Sequence, residues 1–273
     1  MRKTIIKLRN FAAILTTVFF TGQVFAQEIP TSDFFAQIKS YDLSKILMTD
    51  IFLADERMDF EDSINIDATQ MIERAEILGF IGDNYQRFQI HFISIIQNPS
   101  NPYEYFAYGK TKVKENICSF QGTIKITKSR LYIEGDIPFY KQGFTESEVI
   151  LYEDSKQNST GFFSGKMKTY FIIDDKGVFR YDALSFSADG FNNNQFVGTW
   201  TSYKTKSTKK CNWGDYRIPE SEDLDIGAGE FSIDDKYVKN GWENYKLAWG
   251  SGIYPPTMEE IKARRKEKEQ WWK

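Results

Sequence analysis

Residues 161–205 read GFFSGKMKTYFIIDDKGVFRYDALSFSADGFNNNQFVGTWTSYKT, and the reading of this stretch decides the fold. From Phe163 to Ile173 the odd positions are Phe, Gly, Met, Thr, Phe and Ile, while Ser164, Lys166 and Lys168 fill even ones. A period of two sends one set of side chains into a core and the other into water, as in a half-buried strand. Asp174-Asp175-Lys176-Gly177 predicts a hairpin turn, with Gly177 supplying the positive φ that a tight turn needs. Asn192-Asn193-Asn194 predicts the next turn, because asparagine tolerates left-handed backbone and bonds its own chain. The pattern predicts three antiparallel strands in a row.

Working outward, Tyr85–Gln97 reads as a strand with Phe88, Ile90 and Phe92 on one face and Arg87, Gln89 and His91 on the other. The residues before it, Leu78 to Asn84, read as a lead-in turn. Strands at Tyr103–Lys114, Ile117–Thr127, Leu131–Ile133 and Ser147–Tyr152 follow, separated by Pro- and Gly-containing turns. Phe-x-Gly recurs at Phe120/Gly122, Phe163/Gly165 and Phe196/Gly198, and glycine inside a strand marks a bend or a close approach. The expected fold is all-β and mainly antiparallel: an up-and-down β-barrel or strongly curled meander of about eight strands. An N-terminal arm and C-terminal helices complete it. Lys209–Ile218 is expected as an edge strand, Lys236–Trp249 as a helix interrupted at Gly241, and Met258–Trp272 as a last helix capped by Thr257.

The ends of the chain have a different character. Arg2, Lys3, Lys7 and Arg9 precede a short apolar run, Phe11–Phe20, and Val24-Phe25-Ala26 offers a cleavage site before Gln27, so residues 1–26 read as a signal peptide. The run is shorter than the roughly 20 residues of a membrane span, and no later run is long enough. Residues 27–76 read as an acidic arm lying over the barrel, residues 77–218 as the barrel, and 219–273 as an acidic loop with a helical appendage. With the leader's four basic residues removed from 35, 31 Lys+Arg face 38 Asp+Glu, a formal charge of −7. That balance argues against nucleic acid as a partner. Export, to the periplasm or beyond the cell, places Cys118 and Cys211 in an oxidising compartment; one disulfide is expected, with two buried free thiols as the alternative.

Candidate chemistry is sparse. His91 is the only histidine and no nucleophile motif accompanies it, so neither a triad nor a structural zinc site is expected. Asp223, Asp225 and Glu230 hint at a calcium loop, but Gly227 and Ala228 break the pattern and a plain acidic loop is preferred. No cofactor or metal is expected. Arg180 and Asp182 share a strand face; if that face lines a lumen they become orienting groups in an apolar ligand pocket, with Trp200 as a core residue or pocket floor. Glu148 and Asp182 are the acids considered for a glycosidase-like pair, which needs about 5–9.5 Å between carboxyls. On the last helix, Glu260 and Arg264 are spaced as an i,i+4 pair, and Trp271-Trp272 are expected to pack on the barrel or a partner.

LGFIGDNYQRF, NPYEYFAYGKTKVKENICSFQGTI, FVGTWTSYKT and KKCNWGDYRIPESEDLDIGAGEF resemble an uncharacterised family of exported proteins of Gram-negative bacteria, over most of residues 77–245. That resemblance implies export but no activity and no catalytic residues. In strand number and in Gly198-Thr199-Trp200 the barrel is similar in outline to the lipocalin and avidin-like calycins. The expected function is non-catalytic binding of a small apolar or amphipathic ligand, or of a surface partner. A carboxylate-dependent hydrolase and a structural protein of the cell envelope are the alternatives.

Overall fold

The computed structural model describes residues 29–48, 52–55, 69–72, 77–135, 140–186, 188–252 and 255–273. The leader and the acids Asp50, Glu56, Asp59, Glu61, Asp62 and Asp67 lie outside the described residues. The strands are β1 (Thr31–Asp33), β2 (Phe52–Asp55), β3 (Thr69–Ile72), β4 (Ile77–Ile81), β5 (Gln86–Arg87), β6 (Gln89–Asn98), β7 (Asn101–Val113), β8 (Asn116–Tyr132), β9 (Lys141–Glu153), β10 (Gly161–Ile173), β11 (Phe179–Tyr181), β12 (Asn193–Ser202) and β13 (Thr208–Asp215). The helices are α1 (Phe35–Ile38), α2 (Ser44–Met48), α3 (Glu243–Trp249) and α4 (Met258–Glu267).

The main sheet runs β5-β4-β13-β12-β10-β9-β8-β7-β6, with β1 on β8 and β11 on β10. Its two ends, β5 and β6, are one extended segment broken only at Phe88, whose N–H donates to the Gly79 carbonyl (2.9 Å). The sheet therefore curls until it meets itself along a short seam. Beyond the seam α2 packs against β6, and the Ile95 N–H points at the Met48 sulfur (3.3 Å).

The predicted alternation on β10 holds: Phe163, Met167, Phe171 and Ile173 are buried on the inner face. Asp174 closes the predicted hairpin by accepting from the Lys176 and Val178 N–H groups, and Gly177 has φ +78°. Three strand expectations need correction. The expected strands Ile117–Thr127 and Leu131–Ile133 are one, β8. The middle strand of the meander is only three residues long, so β10 gives its outer edge first to β11 and then to β12. The lead-in turn at Leu78–Ile81 is strand β4, which pairs with β13; Lys209–Ile218 is thus not an edge strand. Burial of four of the five β4 residues, Gly79 among them, explains why no polar alternation marked it.

Across the inner face Ile126, Ser147, Met167, Phe196, Trp213 and Gly79 stand level. The Phe196 and Trp213 rings stack at 3.6 Å. Two glycines of the Phe-x-Gly repeat have a packing cause in an aromatic ring, while the third, Gly122, lies against the Ile150–Leu151 backbone. Gly165 and Gly198 face each other across β10 and β12, and a Cβ on either would lie 2.5–2.6 Å from Cζ of Phe196. Likewise Gly109 opposes Phe120 and Gly143 opposes Phe171, with rings at 2.5 and 2.7 Å from the missing Cβ. Rings laid over bare backbone fill the lumen and let the sheet bend.

One end of the curled sheet is stoppered by the first part of the arm. Phe34, Ile38, Leu43, Ile46 and Leu47 join the lumenal core. Tyr105 Oη accepts from the Leu43 N–H and donates to the Tyr41 carbonyl, and Asn194 Nδ2 donates to the Ile46 carbonyl. Near the other end Glu153 is buried, accepting from Thr111 Oγ1 (2.6 Å), the Gly161 N–H and Trp200 Nε1 (both 2.9 Å). Burial raises its pKa against these hydrogen bonds.

The expected disulfide does not form: Cys118 and Cys211 are free and buried. Strands β9, β10 and β12 separate β8 from β13 at about 4.8 Å per strand, whereas a bridge needs Cα atoms within about 7 Å. Burial, and secondarily the Glu153 charge, push Cys118 up to about 11 and Cys211 well above the usual thiol range. Both thiols should resist alkylation in the native protein, and both should react once it is unfolded; intact mass measures each. Gly198→Val should lower stability by about 3 kcal/mol in urea unfolding, through overpacking against Phe196. An unchanged midpoint would refute the ring-over-glycine account.

Candidate functional site

β5 and β6 turn Arg87, Gln89 and His91 to the outer face of the sheet, as the alternation predicts, with Phe88, Ile90 and Phe92 buried on the inside; His91 is itself buried and Arg87 and Gln89 are half-buried. The C-terminal appendage docks against this outer wall. Trp242 anchors it: fully buried, it donates Nε1 to the Tyr85 carbonyl (2.9 Å) within a second core of Leu78, Phe80, Phe231 and Ile233. Gly241, at φ +94°, reverses the chain just before α3. Thr257 caps α4 through a capping box with Glu260. Glu260 spends its carboxylate on Ser251 and the Thr257 N–H, so the hydrogen bonds it makes run back to the cap.

Arg87 ties the wall to α4. Both guanidinium nitrogens reach Glu267 (Nη1 to Oε1, 2.9 Å; Nη2 to Oε2), and the guanidinium lies 5.2 Å from the Trp242 ring centre. Burial alone would raise the Glu267 pKa, but Arg87 and Asn244 outweigh it and hold the carboxyl below the usual range.

Between wall and appendage runs a groove of about 1250 Å³. Its lining includes Phe186, Phe191 and Tyr216, packed edge to face at 5.2–5.4 Å. It also includes Trp249, Trp271 and Trp272. Trp272 lies flat on His91 at 3.7 Å, so it packs on the barrel, and Trp271 stands edge to face on Trp272. Arg87, Arg264 and Glu267 supply charged edges, with the Arg264 guanidinium 4.5 Å from the Trp249 ring centre. His91 looks outward while both thiols face inward, so it is not paired with a cysteine nucleophile. Glu267 is committed to Arg87 rather than available for proton transfer.

The sequence candidates fall elsewhere. Arg180 pairs with Asp174 (3.3 Å), and Asp182 accepts from Gln142 (3.3 Å) and the Leu184 N–H. Tyr181, between them, points inward, so Arg180 and Asp182 face away from the lumen. Asp182 borders a smaller cleft of about 270 Å³ with Tyr170, Ser185 and Asp189. Trp200 faces inward at the opposite end of β10, bonded to Glu153, so the structure does not bring it near Arg180 and Asp182. Glu148 sits in an outward cross-strand ladder, Glu104–Lys125–Glu148–Lys166. It lies level with Lys166 and Asp182 level with Tyr170 on the other side of β10, roughly 13 Å further along the strand.

The loop weighed for calcium is organised by Arg217. Its guanidinium bonds Asp225 (2.6 and 2.9 Å) and the carbonyls of Gly227, Ala228 and Gly229. An arginine stands where the spacing suggested a cation. Among the described residues no group of His, Cys, Asp and Glu is arranged to hold a metal, and no helix is long and apolar enough to cross a membrane.

Sequence reasoning missed Phe186, Phe191 and Tyr216 as lining residues. The available signal was the 16% aromatic content and the Trp-Trp pair, neither of which carries a period. Comparison with known proteins returns no matching family model, curated protein or solved structure. The two resemblances noted above rest on their sequence stretches alone.

Glu267 has a folded pKa below its unfolded value, so its stabilisation is present at neutral pH and is lost as pH falls through the folded value. Glu267→Gln at pH 7 leaves Arg87 uncompensated and should cost about 3 kcal/mol. The gap to wild type should close at an acid pH below that folded value, where the native carboxyl protonates. Urea unfolding at the two pH values, followed by tryptophan fluorescence, measures both.

Proposed function

We propose that this chain is an exported, non-catalytic binding protein that takes a small amphipathic ligand in the groove between its sheet and its C-terminal appendage. The observation that carries this reading is the contrast between the two concavities. The lumen is filled by Phe88, Phe120, Phe163, Phe196 and Trp213, whereas the outer groove keeps about 1250 Å³ lined by aromatic faces with charged edges. Ligand sites combine such apolar walls with a few polar groups that set orientation. Export is supported by the leader's charge and apolar pattern, and cleavage before Gln27 is its testable form: the mature chain should begin at that residue by intact mass.

The hydrolase alternative loses support from the separation of Glu148 and Asp182. The envelope-partner alternative draws on a different surface. Ile96, Phe106, Tyr108, Ile150 and Tyr152 are 37–57% exposed on the outer face of β6–β9.

The anionic amphipathic dye 1-anilinonaphthalene-8-sulfonate tests the groove on the native protein. Trp272→Ala and Trp249→Ala should each weaken binding about tenfold, the loss of roughly one aromatic contact. Tyr152→Ser, on the outer face, should leave it unchanged. Binding that follows Tyr152 instead would favour the partner surface, and no native-state binding would reject the groove.

A further inference from the structure

A layer of polar side chains crosses the inner face just beneath the N-terminal stopper. Ser129 on β8 stands opposite Thr145 on β9, and Thr145 opposite Thr169 on β10. Thr169 Oγ1 donates to Asn194 Oδ1 (2.8 Å). Asn194 Nδ2 donates to the Ile46 carbonyl and to Asp215 Oδ2 (both 2.9 Å), and Tyr181 Oη donates to the same Asp215 oxygen (3.0 Å). Ser147, two residues beyond Thr145 on β9, points the same way. All seven side chains are at most 4% exposed.

The two halves of this layer differ. From Thr169 to Asp215 the groups bond one another. The hydroxyls of Ser129, Thr145 and Ser147 have no hydrogen-bond partner among the described residues. A buried hydroxyl loses its bonds to solvent and must recover them, and native interiors leave few such groups unpaired. These three are neighbours. Directly opposed residues stand about 5 Å apart, and alternate residues on one strand about 7 Å apart. Hydroxyl-to-hydroxyl bonds need about 2.7–2.8 Å. A directly opposed pair can still bond directly, as Thr201 and Thr208 do at 3.0 Å, so it is the lack of such a bond among the described residues that points to a molecule set between these hydroxyls.

We propose that this corner of the lumen is a binding site for ordered water, with at least one molecule bridging Thr145 Oγ1 to Ser129 or Ser147. Water matches the chemistry: each hydroxyl donates or accepts as required, and a buried water makes about three such bonds. Among the described residues the layer's carboxylate, Asp215, lies beyond Thr169 and Asn194 from the three hydroxyls and accepts from Asn194 and Tyr181, which disfavours an ion beside them. Phe34 and Ile38 of the stopper on one side and Met167 and Phe196 on the other make the layer's apolar boundaries, which disfavours a larger polar solute.

Two measurements on the full mature chain test the site. A crystal structure fine enough to show solvent should place a density peak within about 3.2 Å of Thr145 Oγ1 and of one other hydroxyl. Hydroxyls turned onto main-chain carbonyls with no peak, or density for an organic molecule, would overturn the proposal. In solution, Thr145→Val and Ser147→Ala should be non-additive. Groups that share a bridging molecule without touching should show a coupling of at least about twofold in the unfolding constant. Thr145→Ser keeps a hydroxyl and should keep the coupling. Additive effects, with each hydroxyl removal raising stability, would mark a dry layer and reject the site. Should Thr145→Val fail to fold, the cycle is run on Ser129→Ala and Ser147→Ala with the same criteria.

Discussion

Aromatic rings lying over bare backbone on the concave side of the sheet are the contact on which the rest of the molecule depends. Phe196 occupies the space that side chains at Gly165 and Gly198 would fill, and its ring then stacks on Trp213. Trp213 is level with Gly79 on β4, and Gly79 accepts from Phe88, the hinge between β5 and β6. One chain of contacts thus runs from the middle of the meander to the seam where the sheet meets itself. Without the glycines the rings would have no place, and without the rings the bent sheet would enclose a void.

Filling the interior moves any binding surface to the outside. The lumen is occupied by the protein's own aromatics at one level, by a sealed polar layer at the next, and by the stopper above that. The groove against the appendage keeps its room because its walls are braced from behind. Arg87 and Glu267 hold α4 to the wall, and Arg217 gathers the 225–229 loop around itself. Both arginines are largely buried, Arg87 on the Glu267 carboxylate and Arg217 on a carboxylate and three carbonyls, so they set geometry and leave the aromatic faces as the adaptable part.

Much of this was legible in the residues. The alternation in Phe163–Ile173 and Phe88–Phe92 specified faces, and Thr257 marked the start of α4, because period and capping are local properties. The seam was not legible. β4 is buried along most of its length and contains Gly79, so a closing strand read as a turn. Cys118 and Cys211 suggested a bridge from count and compartment, yet their separation is set by strand order, which no pair of thiols encodes. The groove drew on Phe186, Phe191, Tyr216 and Trp249, scattered over loops and a helix. Their convergence is a property of the assembled chain. The calcium-like spacing of Asp223, Asp225 and Glu230 failed for a related reason, since the cation meeting the loop is Arg217, eight residues before Asp225.

The seam also constrains the order of events in folding. β4 finds its partner in β13, more than a hundred residues later, and Arg87 meets Glu267 across 180 residues. The local hairpins from β6 to β10 can form as they are synthesised, but loop-closure entropy delays the two long-range joins. A nascent chain that has reached β12 and not β13 carries two unsatisfied strand edges flanked by Phe-rich faces, the state most exposed to misassembly. The chain's last quarter therefore acts as its own safeguard: its arrival covers one edge with β13 and latches the other beneath the appendage.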